Sequence, residues 1–292
     1  MQTNTILPGD AGYPAGVRAL EHPPVLRLRG ALGEGRRVAV VGTRTPTPAG
    51  ERFAFELASE LATAGIEVWS GGALGIDSAA HRGAVAGGGR TVVVLGSGID
   101  RPYPAENAVL FDELARSGSA VVSPFADGME ARRPLFFARN GVLAAASDAL
   151  VVVECAVRSG ALNAAGWCRK LGKPVGAVPH APWEPRGAGC LDLLARGYAA
   201  MVSTPAQVLA LIGVAPRPAP PASRQLSFAA PAIADPFQLR IVEALVEPRA
   251  LAELAESLAS DIPVLAGALL ELQLAGAIEE SIPGVFRRSG AR

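Results

Sequence analysis

The sequence predicts an α/β protein with a doubly wound, mostly parallel sheet, followed by a small separate unit. Three observations support this fold class. From residue 36 onward, short β-branched runs alternate with helical segments, as in consecutive βαβ units. Two of the runs, VVVL and ALVVVE, are apolar without interruption, which is typical of strands buried on both faces. Three successive strands end in glycine, where the chain can turn sharply.

The alternating region is expected to contain six strands and five helices. The predicted strands are Val38–Val41, Ile66–Trp69, Thr91–Leu95, Ala120–Ser123, Ala149–Glu154 and Pro174–Val178. The predicted helices are Pro48–Ala64, Ile76–Ala86, Ala105–Ser117, Phe136–Ala146 and Ser159–Leu171. Because each helix can cross back over the sheet, successive strands would run parallel.

Changes in composition predict four segments. Residues 1–35 contain four prolines and are expected to form an extended N-terminal lead-in, in which Leu26 and Leu28 could add a short edge strand. An extended Rossmann-like domain (36–213) and a Pro-rich linker (214–235) follow. Residues 236–292 show three helical patterns and a possible hairpin, which predict a winged-helix-like C-terminal domain. The helical patterns are Phe237–Val246, Ala250–Leu258 and Ile262–Gln273, and the hairpin strands are Ala277–Glu280 and Val285–Arg288.

The charge balance excludes a uniformly basic protein, since 27 lysines and arginines face 27 acidic residues. Any surface for a polyanion must therefore be local. Cys155, Cys168 and Cys190 form no C-x-x-C pair, which favours a reduced cytoplasmic protein without a disulfide framework or zinc site. The sequence shows no signal peptide and no apolar run long enough to span a bilayer, so no membrane partner is expected.

A glycine-rich turn, SGGALGIDSAAH (Ser70–His81), is the first candidate binding element. Gly71, Gly72 and Gly75 remove Cβ atoms where the backbone must turn or a ligand must approach, and the following helix offers N–H groups to an anion. The turn could equally serve only to pack a helix on a strand. The first strand lacks the G-x-G-x-x-G pattern and no acidic residue ends the second, so the sequence argues against NAD and predicts no cofactor.

Arginines provide the second candidate feature. Arg44 follows the first glycine turn and could make a bidentate phosphate contact, or it could be a solvated surface residue. The stretch RRPLFFARN (132–140) places three arginines beside two phenylalanines without an acid. Such a pattern can bind a single nucleic-acid strand, but it also fits a helix with core phenylalanines and solvated arginines.

The chain shows no catalytic signature. It has no Ser–His–Asp order, metal-ligand spacing or paired carboxylates. Glu154, at a strand end, is interpreted as an orienting or capping group. His81 is expected to hydrogen-bond to the sheet, and Asp77 to brace the glycine loop or cap its helix.

Several stretches in series resemble the DNA-processing protein A (DprA/Smf) family. They are SGGALGIDSAAH, LGSGIDRPYPAEN, RN at 139–140, VVVECAVRSGAL and GKPVGAVP, and the resemblance covers about residues 12–200. It implies an extended Rossmann-type domain that binds single-stranded DNA without hydrolysing it. It further implies protection of incoming DNA in natural transformation, loading of a RecA-type recombinase, and a homodimer.

The resemblance also implies residue roles in the two glycine turns. Arg44 matches the arginine of the family's V-G-[ST]-R motif, which contacts the DNA backbone. Gly71, Gly72 and Gly75 match the glycine loop beneath the bound nucleotides.

Further residues are implied by the later motifs. Arg139 and Asn140 match the start of the family's R-N-R segment, and Ser159 and Gly160 match its R-S-G-[SAT] turn. Arg133 lies where members often carry a cation facing DNA, and Phe136 lies where an aromatic ring can stack on a base.

Two departures from the family pattern stand out. Gly141 replaces the second arginine of the R-N-R segment, so one cation is lost. Residues 236–292 carry five arginines against eight acidic residues, a net charge of −3, which favours a partner or regulatory contact over DNA binding for this domain.

The second hypothesis is a nucleotide-processing enzyme similar to the Rossmann-like phosphoribohydrolases. Those enzymes require a P-G-G-x-G-T-x-x-E type of turn with a catalytic glutamate. The nearest equivalent here, RSGALNAAG, has no glutamate at that place.

Overall fold

The computed structural model describes residues 3–215, 235–275 and 277–289. It divides into two compact units, Met1–Arg217 and Pro218–Arg292. Most of the predicted Pro-rich linker, residues 216–234, lies outside the described residues.

The first unit is built on a nine-stranded sheet. In chain order, β1 to β9 are Asn4–Ile6, Leu26–Gly30, Arg37–Val41, Glu67–Ser70, Thr91–Val94, Ala120–Ser123, Ala149–Val152, Val175–Ala177 and Ala200–Met201. Their order in the sheet is β1-β2-β6-β5-β4-β3-β7-β8-β9. All pairs from β6 to β9 along this order are parallel, and β2 joins β1 and β6 in antiparallel pairs. The direction of winding therefore reverses between β3 and β7, where doubly wound sheets form their ligand crevice.

Helices cover both faces of this sheet. In chain order, α1 to α8 are Ala15–Arg18, Pro48–Thr63, Ile76–Ala86, Ala108–Arg116, Arg133–Ala146, Gly160–Lys170, Ala188–Ala195 and Pro205–Leu211. One apolar layer contains residues of α1, α5, α6 and α7, and the opposite layer contains residues of α2, α3 and α8. This arrangement confirms the predicted fold class. Within the described residues, no helix is long and apolar enough to cross a membrane.

Helix α5 begins three residues earlier than predicted, at Arg133 instead of Phe136. Pro134 lies in its first turn, where a helix needs no backbone N–H and the fixed φ of proline suits the helix. The earlier start places Arg133 on the same helix as Phe136 and Arg139.

The N-terminal lead-in has more regular structure than predicted. It contributes β1, α1 and β2, and β2 is an inner strand because β1 pairs with its outer side. Leu26 and Leu28 are buried in the core, and the Tyr13 hydroxyl donates to the Pro24 carbonyl over 2.6 Å. The prediction included β2 only as a possible edge strand and missed β1 and α1. The two strands are short and depend on pairing, which for β2 is with the distant β6.

The second unit contains three helices and a small sheet. Helices α9 to α11 are Pro236–Ala244, Leu251–Leu258 and Ile262–Leu274, and strands β10 to β12 are Arg249–Ala250, Ile278–Ile282 and Val285–Arg288. Ile241, Leu254, Leu269 and Phe286 lie in a common apolar core. β12 pairs with both β10 and β11 in antiparallel register. The predicted three helices and hairpin are therefore present, with β10 as an additional short strand.

Candidate nucleic-acid interface

A groove of about 900 Å³ lies at the carboxyl ends of β3 and β7, where the winding of the sheet reverses. The loops after β3 and β7, the glycine loop after β4 and the first turns of α5 contribute to its walls. The charged and aromatic side chains that line it are Arg44, Asp77, Tyr103, Arg132, Arg133, Phe136, Phe137, Arg139 and Arg158. Five arginines thus share one groove with a single carboxylate, which gives it the electrostatic character of an anion site.

Arg139 is a buried cation in the wall of this groove. Its side chain is 7% exposed, and within the described residues its Nε has no hydrogen-bond partner and its guanidinium takes part in no ion pair. Burial lowers the pKa of Arg139, and the nearby positive charge of Arg44 lowers it further, while Asp77 opposes the shift. An arginine nevertheless keeps its proton in a protein, so the free donors of Arg139 are available to an anion.

The glycine loop makes room for this guanidinium. A Cβ atom on Gly71 would overlap the Arg139 guanidinium, so any larger residue here would displace that group. Asp77, at the start of α3, accepts hydrogen bonds from the backbone N–H groups of Gly71 (3.1 Å) and Ala73 (3.3 Å). Burial raises the pKa of Asp77, against the influence of Arg139 and of these hydrogen bonds. The expected role of Asp77 as a brace for the loop agrees with these contacts.

The absent Cβ atoms of Gly72 and Gly75 would meet packed neighbours. Gly72 has a φ of +71°, and its absent Cβ would lie 2.6 Å from Val93 Cγ1 and 2.9 Å from Phe111 Cζ, inside the apolar core. Gly75 has a φ of +79°, and its Cβ would meet the backbone of the loop after β3. Both glycines therefore have a packing role, and the DNA contact that the family resemblance implies for them stays a prediction.

An aromatic wall lies beside the arginines. The ring centroids of Tyr103 and Phe136 are 5.7 Å apart with planes tilted by 50°, and the Arg44 guanidinium carbon lies 5.6 Å from the Phe136 centroid. Tyr103 is 42% exposed. A small side pocket of about 60 Å³ has these three residues, Arg139 and the acidic Glu106 among those that line it. Cationic and aromatic surfaces thus alternate here, as a sugar-phosphate chain with stacked bases requires.

The opposite wall is formed by the start of α6. Ser159 caps the helix, because its hydroxyl accepts the Ala161 N–H over 3.1 Å. Asn140 is buried, and its Nδ2 donates to the Gly160 carbonyl and to Asn163 Oδ1, each over 3.1 Å. Asn140, Ser159 and Gly160 therefore meet at the groove, where the Asn140 amide holds α5 against α6. Their contact with DNA stays a prediction.

The remaining arginines of the groove are exposed. Arg44, Arg132, Arg133 and Arg158 form no ion pair with any described residue. Tyr103 and Arg158 were not predicted as site residues. Both lie within the motifs that carry the family resemblance, LGSGIDRPYPAEN and VVVECAVRSGAL, so their position in those motifs was the signal that could have identified them.

Glu154 and His81 have structural partners. Glu154 accepts hydrogen bonds from the backbone N–H and hydroxyl of Thr47, the residue that caps α2, at 3.1–3.3 Å. His81 is fully buried, and its Nδ1 lies 2.7 Å from the Thr91 hydroxyl on β5. Burial, with smaller contributions from Arg139 and Arg82, lowers the pKa of His81 to about 3.

The low pKa of His81 predicts a loss of stability in mild acid. In the unfolded chain the histidine binds a proton below about pH 6.5, whereas the folded protein binds it only near pH 3, so the free energy of unfolding falls as the pH drops between these values. The full slope is about 1.4 kcal/mol per pH unit, or roughly 2 kcal/mol between pH 6.5 and 5. Urea unfolding across this range should show the slope in the wild type and a flatter profile in His81→Asn. If the free energy of unfolding fell equally with pH in the wild type and in His81→Asn, this assignment of the slope to His81 would be wrong.

The model of the family described as DNA recombination-mediator protein A matches residues 4–213. The chain belongs to this family. The matched region contains the whole nine-stranded sheet and every residue of the groove.

Relatives in the DNA recombination-mediator protein A family share a substantial part of the sequence. The putative DNA processing protein DprA of Mycobacterium tuberculosis is 40% identical over 210 residues, which are 70% of this chain and 53% of the relative. Protein Smf of Escherichia coli is 31% identical over 290 residues, 97% of this chain and 77% of the relative. The chain thus spans about half the length of the mycobacterial relative. These matches confirm the family resemblance deduced from the motifs.

Solved structures of the family have the same fold. DNA processing protein A from Streptococcus pneumoniae has a TM-score of 0.67 at 30% identity, covering 72% of this chain and 74% of that protein. DNA processing protein A from Helicobacter pylori, whose single-stranded DNA binding mode has been described structurally, has a TM-score of 0.64 at 28% identity, covering 72% of this chain and 94% of that protein.

Proposed function

We propose that this family member binds single-stranded DNA in the groove between β3 and β7, without catalysing a reaction. The observation that carries this proposal is the buried Arg139, which has free donors beneath a groove lined by four further arginines. Single-stranded DNA binding by the Helicobacter pylori relative supports the same choice of ligand.

The geometry supports a division of roles within the groove. Arg139 would hold one phosphate in a fixed position, because its guanidinium is confined between Gly71 and the body of α5. Arg44, Arg133 and Arg158 are exposed and would neutralise neighbouring phosphates. Phe136 and Tyr103 would stack on bases, which tolerates any sequence since every base has a π-face.

A catalytic role has less support. Glu154 is fully buried and is bonded to Thr47, and Asp77 is bonded to the glycine loop, so neither carboxylate is free to act as a base. Within the described residues, no group of three or more potential metal ligands is present. Incubation with nucleoside monophosphates tests the phosphoribohydrolase-like alternative, and release of free base would favour the enzyme.

The partners implied by the family resemblance belong to the same proposal. A protein that holds single-stranded DNA through exposed arginines could protect incoming strands and deliver them to a RecA-type recombinase in the cytoplasm, acting as a homodimer. The net charge of −3 in residues 236–292 favours a protein partner or a regulatory contact for the second unit.

Salt-dependent binding of an oligo-dT provides the principal test of DNA binding. Fluorescence anisotropy of a labelled oligonucleotide should show affinity that falls steeply with salt, because bound phosphates release counterions. A duplex of equal length should bind more weakly, since stacking on Phe136 and Tyr103 requires unpaired bases. Absence of oligo-dT binding at low salt would overturn the proposed function.

Arg44→Ala is expected to lower the affinity roughly tenfold for every sequence tested. Arg44 would contact the backbone and not a base edge, so the loss should be uniform and should reduce the slope of log affinity against log salt by about 0.7. Arg116→Ala is the matched control, because Arg116 is an exposed arginine at the C-terminal end of α4 and does not line the groove. A loss confined to particular sequences, or an equal loss in the control, would contradict this role.

A further inference from the structure

Trp183 is 83% exposed, in contrast to Trp69, which is fully buried. It lies in the loop that connects β8 to α7, between Pro182 and Pro185. A tryptophan combines a large, rigid apolar ring with a polar N–H group, so an exposed one is well suited to contact another molecule.

The loop of Trp183 lies at the same edge of the sheet as the groove. β8 pairs in parallel with β7, and paired strands are about 4.8 Å apart, so the loops after the two strands emerge side by side. The loop after β7, with Ala156, Val157 and Arg158, forms one wall of the groove. Trp183 is therefore on the next loop outward from that wall.

Two contacts hold this loop and the first turn of α7 against the segment after β7. His180 Nε2 lies 2.8 Å from the Val153 carbonyl, and the Gly189 N–H donates to the Cys155 carbonyl over 2.8 Å. Both acceptors belong to the segment that leads from β7 into the groove. Together with the two prolines, these contacts hold the backbone beside Trp183, so that binding a ligand there would cost little conformational entropy.

Exposed arginines lie on this loop and on the neighbouring one. Arg186 follows Trp183 on the same loop, and Arg158 lies on the neighbouring loop, which lines the groove. Glu184, the acid next to Trp183, accepts the Arg186 backbone N–H over 3.1 Å. The pattern of cation, exposed aromatic ring and cation repeats the chemistry of the groove and is suited to a sugar-phosphate backbone with a stacked base.

We propose that Trp183 stacks on a base of the single strand after it leaves the groove across Arg158, so that the binding surface extends onto the loop after β8. This inference rests on the proposed function of the groove and adds a contact that the family motifs do not include. The occupant is the same DNA strand, because the loop after β8 emerges beside the loop after β7 that lines the groove, and it carries the exposed Arg186.

The test combines tryptophan fluorescence with the affinity for an oligo-dT of about 20 nucleotides, longer than the roughly 4–16 nucleotides that a single binding module covers. Oligo-dT should quench the fluorescence of the wild type and of Trp167→Phe, and the quenching should be largely lost in Trp183→Phe. Trp183→Ala should bind the oligonucleotide roughly five- to hundredfold more weakly, the range expected for one stacked base. Val246→Ala, which removes an equally exposed apolar side chain from the second unit, should bind like the wild type.

The outcomes separate this inference from the function on which it rests. One outcome would overturn the Trp183 contact while supporting the groove. In that outcome Arg139→Gln abolishes DNA binding, Trp183→Ala leaves the affinity unchanged, and Trp183→Phe retains the fluorescence quenching. Failure of the wild type to bind any oligo-dT would overturn both. Normal DNA binding by Trp183→Ala combined with loss of self-association would assign the residue to a protein interface and would also overturn the inference.

Discussion

Arg139→Gln is expected to weaken oligo-dT binding roughly 100-fold, or about 3 kcal/mol, the largest effect of any single substitution in the groove. The reason is that Arg139 is the buried cation of the groove, and a hydrogen bond between a buried charge and a phosphate is stronger than one at an exposed arginine. Anisotropy measured at two salt concentrations checks the prediction. The loss should persist at the higher concentration, because a buried contact is screened less than an exposed one.

Two further variants test whether the loss of DNA affinity in Arg139→Gln is specific to this guanidinium. Arg139→Lys keeps the charge but not the planar fork of donors, so its affinity should lie between those of the wild type and Arg139→Gln. Arg196→Gln removes an exposed arginine that pairs with Asp192 outside the groove and should bind DNA normally. Urea unfolding of Arg139→Gln should confirm that the variant still folds cooperatively, although the buried Asp77 loses its nearby positive charge. Unimpaired binding by this variant would show that DNA does not occupy the groove.

Gly72→Ala is expected to destabilise the first unit by roughly 2–5 kcal/mol. Part of the cost arises from the positive φ, about 1–2 kcal/mol for a residue with a Cβ. The rest arises from overpacking, typically 1–3 kcal/mol, because the new methyl group would meet Val93 and Phe111 in the core. The fluorescence of the buried Trp69 during urea unfolding reports on this unit.

Gly88→Ala provides a matched control for the backbone effect. Gly88 has the same φ of +71°, and its Cβ would have no neighbour within 4 Å. Its substitution should therefore cost only the backbone term, and the difference between the two variants measures the packing around Gly72. Equal losses of stability would show that the core accommodates the methyl group. If Gly72→Ala instead lowered the DNA affinity and left the stability unchanged, Gly72 would have the DNA-contacting role that the family resemblance implies.

The alternation of strands and helices made the main sheet predictable. Runs such as ALVVVE are apolar throughout, and a parallel strand buried on both faces requires that pattern. The start of α5 was harder to predict from the sequence, because Pro134 in a first helical turn resembles a proline that ends a loop. The strand Leu26–Gly30 was harder still, because its pairing partner β6 lies almost a hundred residues away.

In the candidate site, too, some residues could be predicted from local sequence motifs, whereas other features depend on tertiary contacts. Arg44, Arg133, Phe136 and Arg139 were proposed from motifs, and the structure brings all four to one groove. The orientations of Gly72 and Gly75 could not be deduced from spacing, because the direction of an absent Cβ depends on φ and on distant neighbours. Their proposed contacts with DNA, like those of the four side chains, stay predictions until binding is measured.

The pairing of β2 with β6 also has a consequence for the order in which the chain folds. Arg27 lies opposite Ser123, so this contact closes a loop of nearly a hundred residues and cannot form until β6 has been synthesised. Before that point β2 lacks the partner strand β6. Once β6 has formed, the backbone groups along its edge stay unpaired until β2 binds there. An unpaired inner strand of this kind can pair with another chain. Residues 3–30 therefore cover the edge of β6 late in folding, and their docking would remove an exposed strand edge that favours aggregation of the nascent protein.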